Sequence, residues 1–251
     1  MATSSTVRSS AYENNPAASE GATWQQWAWF TGGCATVIIT LAKSAIITAA
    51  AAGVRNSSWP WVQLISVAVA GYIAADLGTG IYHWAIDNYG GADTPVFGPQ
   101  IVGFQGHHQR PSKIAREHIA RNLYLTAAPV TVAVLPITVL CGDPAALGFV
   151  GSLAAAAVFS QQFHAWSHTP KGRLPVAVVA LQDAGILLGR AEHAAHHRPP
   201  FDSNYCIVSG VWNTFIDKSR FFRALEAAVF AAAGVRPRSW SNPNHYEWND
   251  N

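Results

Sequence analysis

Four long apolar segments constrain the fold of this 251-residue chain more than any other feature. They cover residues 24–52, 59–82, 123–141 and 145–163, and the only charged side chains inside them are Lys43 and Asp76. A helix needs roughly 20 apolar residues to cross the hydrocarbon core of a bilayer. Charged residues make up 12% of the chain, which is about half of the usual share. The sequence therefore predicts an all-α membrane protein with about four transmembrane helices.

The remaining segments predict one membrane domain between two polar tails. Residues 1–23 are polar and aperiodic, and we predict a disordered tail, a possible remnant of a transit peptide even though its two glutamates are untypical of one. We predict a membrane domain over residues 24–240 and a polar tail over 241–251. Within the domain, residues 174–188 predict a re-entrant or interfacial helix, and residues 221–233 an amphipathic surface helix. The three cysteines are too far apart to indicate a disulfide framework.

The distribution of basic residues predicts the orientation in the membrane. With four spans, both chain ends and the loop over residues 83–122 share one side, and nearly all of the lysines and arginines outside the spans fall there. The opposite side carries Arg55 alone. The positive-inside rule therefore places the large polar regions in the cytoplasm or the plastid stroma. The net charge of +2 is too small to indicate a nucleic-acid partner.

Histidines are concentrated on that same side of the predicted bundle. Nine of the ten lie between residues 83 and 197. His193, His196 and His197 have the i, i+3, i+4 spacing that places side chains on one face of a helix. His164 and His168 repeat the i, i+4 spacing, as do His83 and Asp87, and His107 and His108 form a doublet between these pairs. Because neutral imidazole is the commonest metal ligand in proteins, we predict a metal cluster at the stromal or cytoplasmic side.

The number of candidate ligands favours two ions over one. A zinc site needs three or four protein ligands, and the chain lacks the HExxH motif of zinc proteases. Copper(I) favours cysteine and methionine, and Met1 is the only methionine. A nitrogen-rich site for two iron ions, which would use O2 as co-substrate, remains. For His118 the sequence leaves three roles open: a ligand, a group that orients a ligand, or a residue of a solvated turn.

Four motifs carry a resemblance to a known family. They are Gly80 to Gly90 (GIYHWAIDNYG), Phe104 to His108 (FQGHH), Gln161 to His168 (QQFHAWSH), and Ala191 to Pro199 (AEHAAHHRP). In combination they resemble the membrane lipid-desaturase family, which includes the plasmanylethanolamine desaturases of animals and acyl-lipid desaturases of plant plastids. The segments over residues 181–183 and 234–240 are more similar to the plant branch.

The resemblance implies an O2-dependent acyl-lipid desaturase with two non-heme iron ions. In the plant branch it implies a trans double bond at position 3 of the palmitoyl chain of phosphatidylglycerol, in a chloroplast membrane, with ferredoxin as electron donor. An endoplasmic reticulum membrane with a cytochrome b5 donor is the alternative. The implied metal residues are His83, Asp87, His107, His108, His164, His168, His193, His196 and His197.

Several alternatives stay open at this point. The same metal site would serve a plasmanylethanolamine-type desaturase or a lipid hydroxylase, and a non-enzymatic metal transporter is a further possibility. Three basic residues, Arg190, Arg236 and Arg238, are candidates for binding an anionic phospholipid headgroup, with ordinary positive-inside residues as the plainer interpretation.

Overall fold

The computed structural model describes residues 21–241, so the predictions made for residues 1–20 and 242–251 lie outside the described part of the chain. The described part is almost entirely helical. Its nine α-helices are α1 (Trp24–Arg55), α2 (Trp59–Asn88), α3 (Gly98–Gln109), α4 (Ile119–Leu140), α5 (Pro144–Ser167), α6 (Val176–Asp183), α7 (Arg190–His196), α8 (Asn213–Ser219) and α9 (Phe221–Ala233). Short 3-10 turns cover Pro111–Arg116, Lys171–Arg173 and Arg238–Trp240.

Within residues 21–241, four helices are long and apolar enough to cross a membrane, namely α1, α2, α4 and α5. Many of their large apolar side chains point outward, including Ile46 (69% exposed) and Leu140 (84% exposed). Outward apolar faces are costly in water and favourable in lipid. The prediction of a helical membrane protein with four candidate spans is confirmed.

The four long helices run alternately up and down, because short turns join α1 to α2 and α4 to α5. α5 packs against α1, α2 and α4, and α1 also packs along α4. A close approach joins α2 to α5 at Gly71, where any Cβ atom would overlap the backbone carbonyl oxygen of Phe149. Small residues allow membrane helices to approach in this way. The packing fixes the ends of α2 and α5 side by side.

The short elements collect at one end of this bundle. The C-terminal ends of α2 and α5 and the N-terminal ends of α1 and α4 share that end, and α3 and α7 pack there against α2 and α5 respectively. The segment predicted over residues 174–188 forms a shorter helix, α6. The helix ends at Asp183, two residues before Gly185, whose φ is +69°. The helix predicted over residues 221–233 is found with those bounds as α9.

Candidate metal centre

Nine side chains with metal-binding atoms meet at the end of the bundle where the short helices lie. They come from four helices that are far apart in sequence: α2, α3, α5 and α7 together with the residues that cap α5 and α7. They form two groups, and within each group the candidate ligand atoms all lie within 4.8 Å of one another. The nine residues are His83, Asp87, His107, His108, His164, His168, His193, His196 and His197.

The first group, called here the five-histidine group, contains His107, His164, His168, His193 and His197. The Nε2 atoms of His107 and His168 lie 3.0 Å apart, and those of His193 and His197 lie 3.1 Å apart. The rings of His164 and His193 have centroids 4.3 Å apart and stand edge to face. Five imidazoles from three helices thus direct nitrogen atoms into one small volume.

The second group, called here the Asp87 group, contains His83, Asp87, His108 and His196. The carboxylate is its centre: Oδ2 of Asp87 lies 3.0 Å from Nε2 of His108, 3.2 Å from Nε2 of His83 and 3.4 Å from Nε2 of His196. The side chains of His83 and His196 are fully buried. The two groups are neighbours, since the ring centroids of His83 and His164 lie 5.9 Å apart.

Helical spacing explains how the ligands divide between the groups. Residues four apart lie on one helix face; accordingly His83 with Asp87, His164 with His168, and His193 with His197 each stay together. Adjacent residues point about 100° apart on a helix with 3.6 residues per turn. The doublet formed by His107 and His108 is therefore split between the two groups.

Backbone carbonyls of one irregular segment orient two histidines of the Asp87 group. Nδ1 of His83 lies 3.0 Å from the carbonyl oxygen of Tyr205, and Nδ1 of His196 lies 2.8 Å from that of Ser203. A carbonyl oxygen only accepts, so each Nδ1 carries the proton and donates it. In a neutral ring Nε2 is then the nitrogen with the free lone pair, and in both residues it faces the carboxylate of Asp87. This arrangement is how proteins commonly orient metal-binding imidazoles.

The unpartnered atoms of the two groups fit bound cations. The Nε2 atoms of His83, His164 and His196 and the Oδ1 atom of Asp87 are buried without a hydrogen-bond partner. With neutral rings, the Nε2 atoms at 3.2 and 3.4 Å from a carboxylate oxygen bring lone pairs together, and a bound cation would relieve that repulsion. Imidazole with carboxylate suits several first-row metals, iron among them, and the number of donors is enough for two ions.

Burial keeps four histidines outside the long helices, His107, His168, His193 and His197, in their neutral form. Burial, followed by the proximity of other imidazoles, holds the pKa values of His107 and His193 far below their usual range. The same causes lower the pKa of His197 to about 2 and the pKa of His168 to about 4. These side chains are therefore neutral near pH 7, and neutral imidazole is the form that binds metals.

The four remaining candidates lie outside both groups. His118 accepts a hydrogen bond at Nδ1 from the backbone N–H of Ala120 and caps α4. Arg190 donates to the carbonyl oxygen of His168, and Arg236 lies over the ring of Phe230. Arg238 donates to the carbonyl oxygens of Asp87 and Gly90, beside the Asp87 group.

Sequence reasoning missed the residues that support the ligands. Asp76, in the middle of α2, accepts hydrogen bonds from the backbone of the segment that carries Tyr205. Gln161 lies with Oε1 3.4 Å from Nδ1 of His164. Asp76 had a detectable signal, because it is the one acid in an apolar span and stands seven residues, about two turns, before His83.

Fold and site together define a helical membrane protein whose histidine-rich centre lies at one end of its bundle. The chain belongs to the lipid desaturase family, whose domain matches residues 72–240. It is thus an oxidoreductase of the desaturase type, and the family prediction and the enzyme prediction are confirmed. No solved structure matches the chain.

The chain is similar to individual desaturases of a plant and of an animal. The chain is 50% identical over 222 residues to fatty acid desaturase 4, chloroplastic, of Arabidopsis thaliana, which covers 88% of this chain and 67% of that protein. It is 45% identical to fatty acid desaturase 4-like 1, chloroplastic, of the same plant, over 91% of this chain and 75% of that protein. The chain is 31% identical to plasmanylethanolamine desaturase 1 of Mus musculus, over 72% of this chain and 70% of the mouse protein.

Proposed function

We propose that this lipid desaturase introduces a trans double bond at position 3 of the palmitoyl chain of phosphatidylglycerol in a chloroplast membrane. The proposal includes two non-heme iron ions, O2 as co-substrate and ferredoxin as electron donor. The observation that carries the proposal is the pair of adjacent ligand groups. Their buried histidine nitrogens lack hydrogen-bond partners, and some of them face the carboxylate of Asp87. The names of the plant relatives support the chloroplast membrane and the fatty acyl substrate.

The depth of the centre supports a reaction close to the ester group of the lipid. α2 has 30 residues and is about 45 Å long, whereas the hydrocarbon core is roughly 30 Å thick. If Trp59 lies at one interface, the last third of α2, with His83 and Asp87, extends past the other. The ester groups of a phospholipid lie at that level, so carbon atoms near the ester come closest to the two groups.

The proposed reaction converts –CH2–CH2– to –CH=CH–. The two hydrogen atoms of the acyl chain, two electrons from the donor and two protons from solvent reduce one O2 to two water molecules. Two bound iron ions would supply the chemistry for removing hydrogen from an unactivated C–H bond, which side chains lack. The eight histidines would hold the ions with their ring nitrogens, and Asp87 would contribute the negative charge of the second site.

Basic residues beside the two ligand groups support the part of the proposal that concerns an anionic lipid headgroup. Arg238 lies next to Asp87 and Gly90, and Arg190 lies next to His168. Guanidinium groups pair well with phosphate, so these two residues are candidates for binding the headgroup of phosphatidylglycerol. Arg236, two residues before Arg238, is a third candidate.

The test is lipid analysis combined with iron measurement. The chain would be expressed in a host that supplies phosphatidylglycerol and a reduced ferredoxin, beside His196→Ala and, as matched control, His118→Ala. We expect trans-3-hexadecenoate in phosphatidylglycerol with the unchanged chain and with His118→Ala, and its absence with His196→Ala. Iron in the purified protein is expected at two ions per chain.

Other products would replace the proposal with a defined alternative. A hydroxylated acyl chain would indicate a lipid hydroxylase. A new vinyl ether in an ethanolamine ether lipid would indicate the activity named for the mouse relative. Unchanged lipids in the presence of a reduced donor would contradict the proposal.

A further inference from the structure

Asp76 is a fully buried carboxylate in the middle of a membrane-type helix. Its Oδ1 atom accepts hydrogen bonds from three consecutive backbone N–H groups, those of Val208, Ser209 and Gly210, at 3.0, 2.8 and 3.0 Å. Its Oδ2 atom accepts a fourth from Trp212 at 3.4 Å. Buried acids within membrane segments are costly, so they are kept where they serve a function.

The segment that Asp76 holds has no regular structure of its own between residues 203 and 210. Without a helix or strand to fix its register, contacts with its neighbours decide where its carbonyl oxygens lie. Two of these oxygens, on Ser203 and Tyr205, accept the Nδ1 protons of His196 and His83. The segment therefore orients half of the Asp87 group.

One face of α2 packs against this segment. Thr79 and Gly80 stand three and four residues after Asp76, His83 stands four and three residues after them, and Asp87 follows His83 by four, which places all five on a single stripe. Oγ1 of Thr79 accepts from the backbone N–H of Ile207 at 3.2 Å. At Gly80 any Cβ atom would overlap Sγ of Cys206. Helix and segment thus lie in direct contact between the acid and the candidate ligands.

We propose that Asp76 is a positioning residue for the Asp87 group: by fixing residues 207–212 against α2, it sets the Ser203 and Tyr205 carbonyls that orient His196 and His83. The inference rests on the proposed two-metal site. Asp76 stands two turns from His83, about 10 Å along the helix, so it acts through the segment and binds no ion itself. The five-histidine group is oriented by other contacts, such as Gln161 with His164.

The test is an anaerobic iron(II) titration of the purified full chain against a competing chelator. Asp76→Asn and Asp76→Leu would be compared with the unchanged chain, and cobalt(II) would report ligand geometry in its visible spectrum. We expect one of the two ions to bind about 10- to 100-fold more weakly in Asp76→Leu, the range seen when a group that orients a ligand is lost, and a smaller loss in Asp76→Asn. The other ion keeps its affinity and its spectrum.

Two further variants separate positioning from general destabilisation. Thr79→Val removes a second contact to the same segment, and we expect it to weaken the same ion. Thr40→Val removes a buried hydroxyl from α1 that bonds to Thr138, far from the centre, and we expect it to leave both affinities unchanged. Thermal unfolding of the metal-free variants completes the comparison.

Each outcome has a defined meaning. Fewer than two ions in the unchanged chain would defeat the proposed function. Two ions of unchanged affinity in Asp76→Leu and Thr79→Val would overturn the inference while leaving the proposed function intact. Equal weakening of both ions, with a matching fall in unfolding temperature, would show a structural role only and would also overturn it. If Asp76→Leu does not fold, Asp76→Asn and Thr79→Val decide the question.

Discussion

The Nε2 atoms of His107 and His168 lie 3.0 Å apart, although 61 positions separate the two residues along the chain. His107 lies in the last turn of α3 and His168 caps the end of α5. The contact closes α3 over the end of the bundle and completes the five-histidine group. It also shows that the centre depends on how short surface helices pack onto the long ones.

The division of the ligands into two groups predicts separable effects on metal content. His168→Ala removes a nitrogen from the five-histidine group only, and His108→Ala removes one from the Asp87 group only. We expect each variant to lose one bound iron per chain and the double variant to lose both. Iron analysis of the purified proteins checks this. Loss of both ions in either single variant would show that the two groups form one inseparable cluster.

Stability of the metal-free protein is expected to fall in acid. Burial, together with nearby imidazoles and Arg190, lowers the pKa of His168 from 6.5 to about 4 in the folded chain. Between pH 6.5 and pH 4 the unfolded chain binds a proton at this histidine and the folded chain does not. The contribution of His168 to the free energy of unfolding is therefore fully present above pH 6.5 and is lost progressively toward pH 4. His197, lowered to about 2, acts in the same direction. Unfolding temperatures measured in detergent after chelation should be flat from pH 8 to 7 and should fall at pH 5.5; a flat profile down to pH 5 would contradict the prediction.

The contact between α2 and α5 predicts opposite effects for two glycines of one helix. Gly71→Ala would push a methyl group into the backbone of Phe149 and is expected to destabilise the fold by about 1–3 kcal/mol. Gly78→Ala, which meets nothing within 4 Å, is expected to stabilise α2 by about 0.5–1 kcal/mol. Thermal unfolding in detergent measures both. Because α2 and α5 carry ligands of different groups, Gly71→Ala should also weaken iron binding, whereas equal stability of the two variants would contradict the packing argument.

His118 is predicted to be dispensable for metal binding. Its Nδ1 atom caps α4 through the backbone N–H of Ala120, and the residue lies outside both ligand groups. We expect His118→Ala to keep two iron ions per chain and to lose about 1 kcal/mol of stability, the usual cost of a lost helix cap. Iron analysis beside thermal unfolding gives the answer, and a missing ion would return His118 to the set of candidate ligands.

The long helices could be predicted from the sequence, because the length of an uncharged apolar segment is enough to indicate a membrane-spanning helix. Each apolar run is about as long as a membrane crossing needs, or longer, and the structure extends α2 from the predicted end at Tyr82 to Asn88. α3 could not be predicted in the same way. Its glycines at 98, 103 and 106 lower helix propensity, so His107 and His108 looked like a loop doublet. Packing against α2 overrides that weak local preference.

The candidate ligands followed from their type and spacing, whereas the groups that orient them did not. Backbone carbonyls, such as those of Ser203 and Tyr205, leave no trace in residue identity, because every residue has one. Asp76 was visible as an acid in an apolar span, yet its partners are backbone N–H groups 132 to 136 positions away. Partnerships over such distances depend on tertiary packing.

The sequence by itself determined the helical membrane architecture, the family and the nine candidate ligands, because hydrophobic length and helical spacing are local properties of a chain. Tertiary structure alone decided that these nine residues form two groups, that His118 belongs to neither, and that an irregular segment held by Asp76 orients His83 and His196. The physical reason is that a metal site needs donors converging within a few ångströms from distant helices. Only the packing of those helices sets such distances.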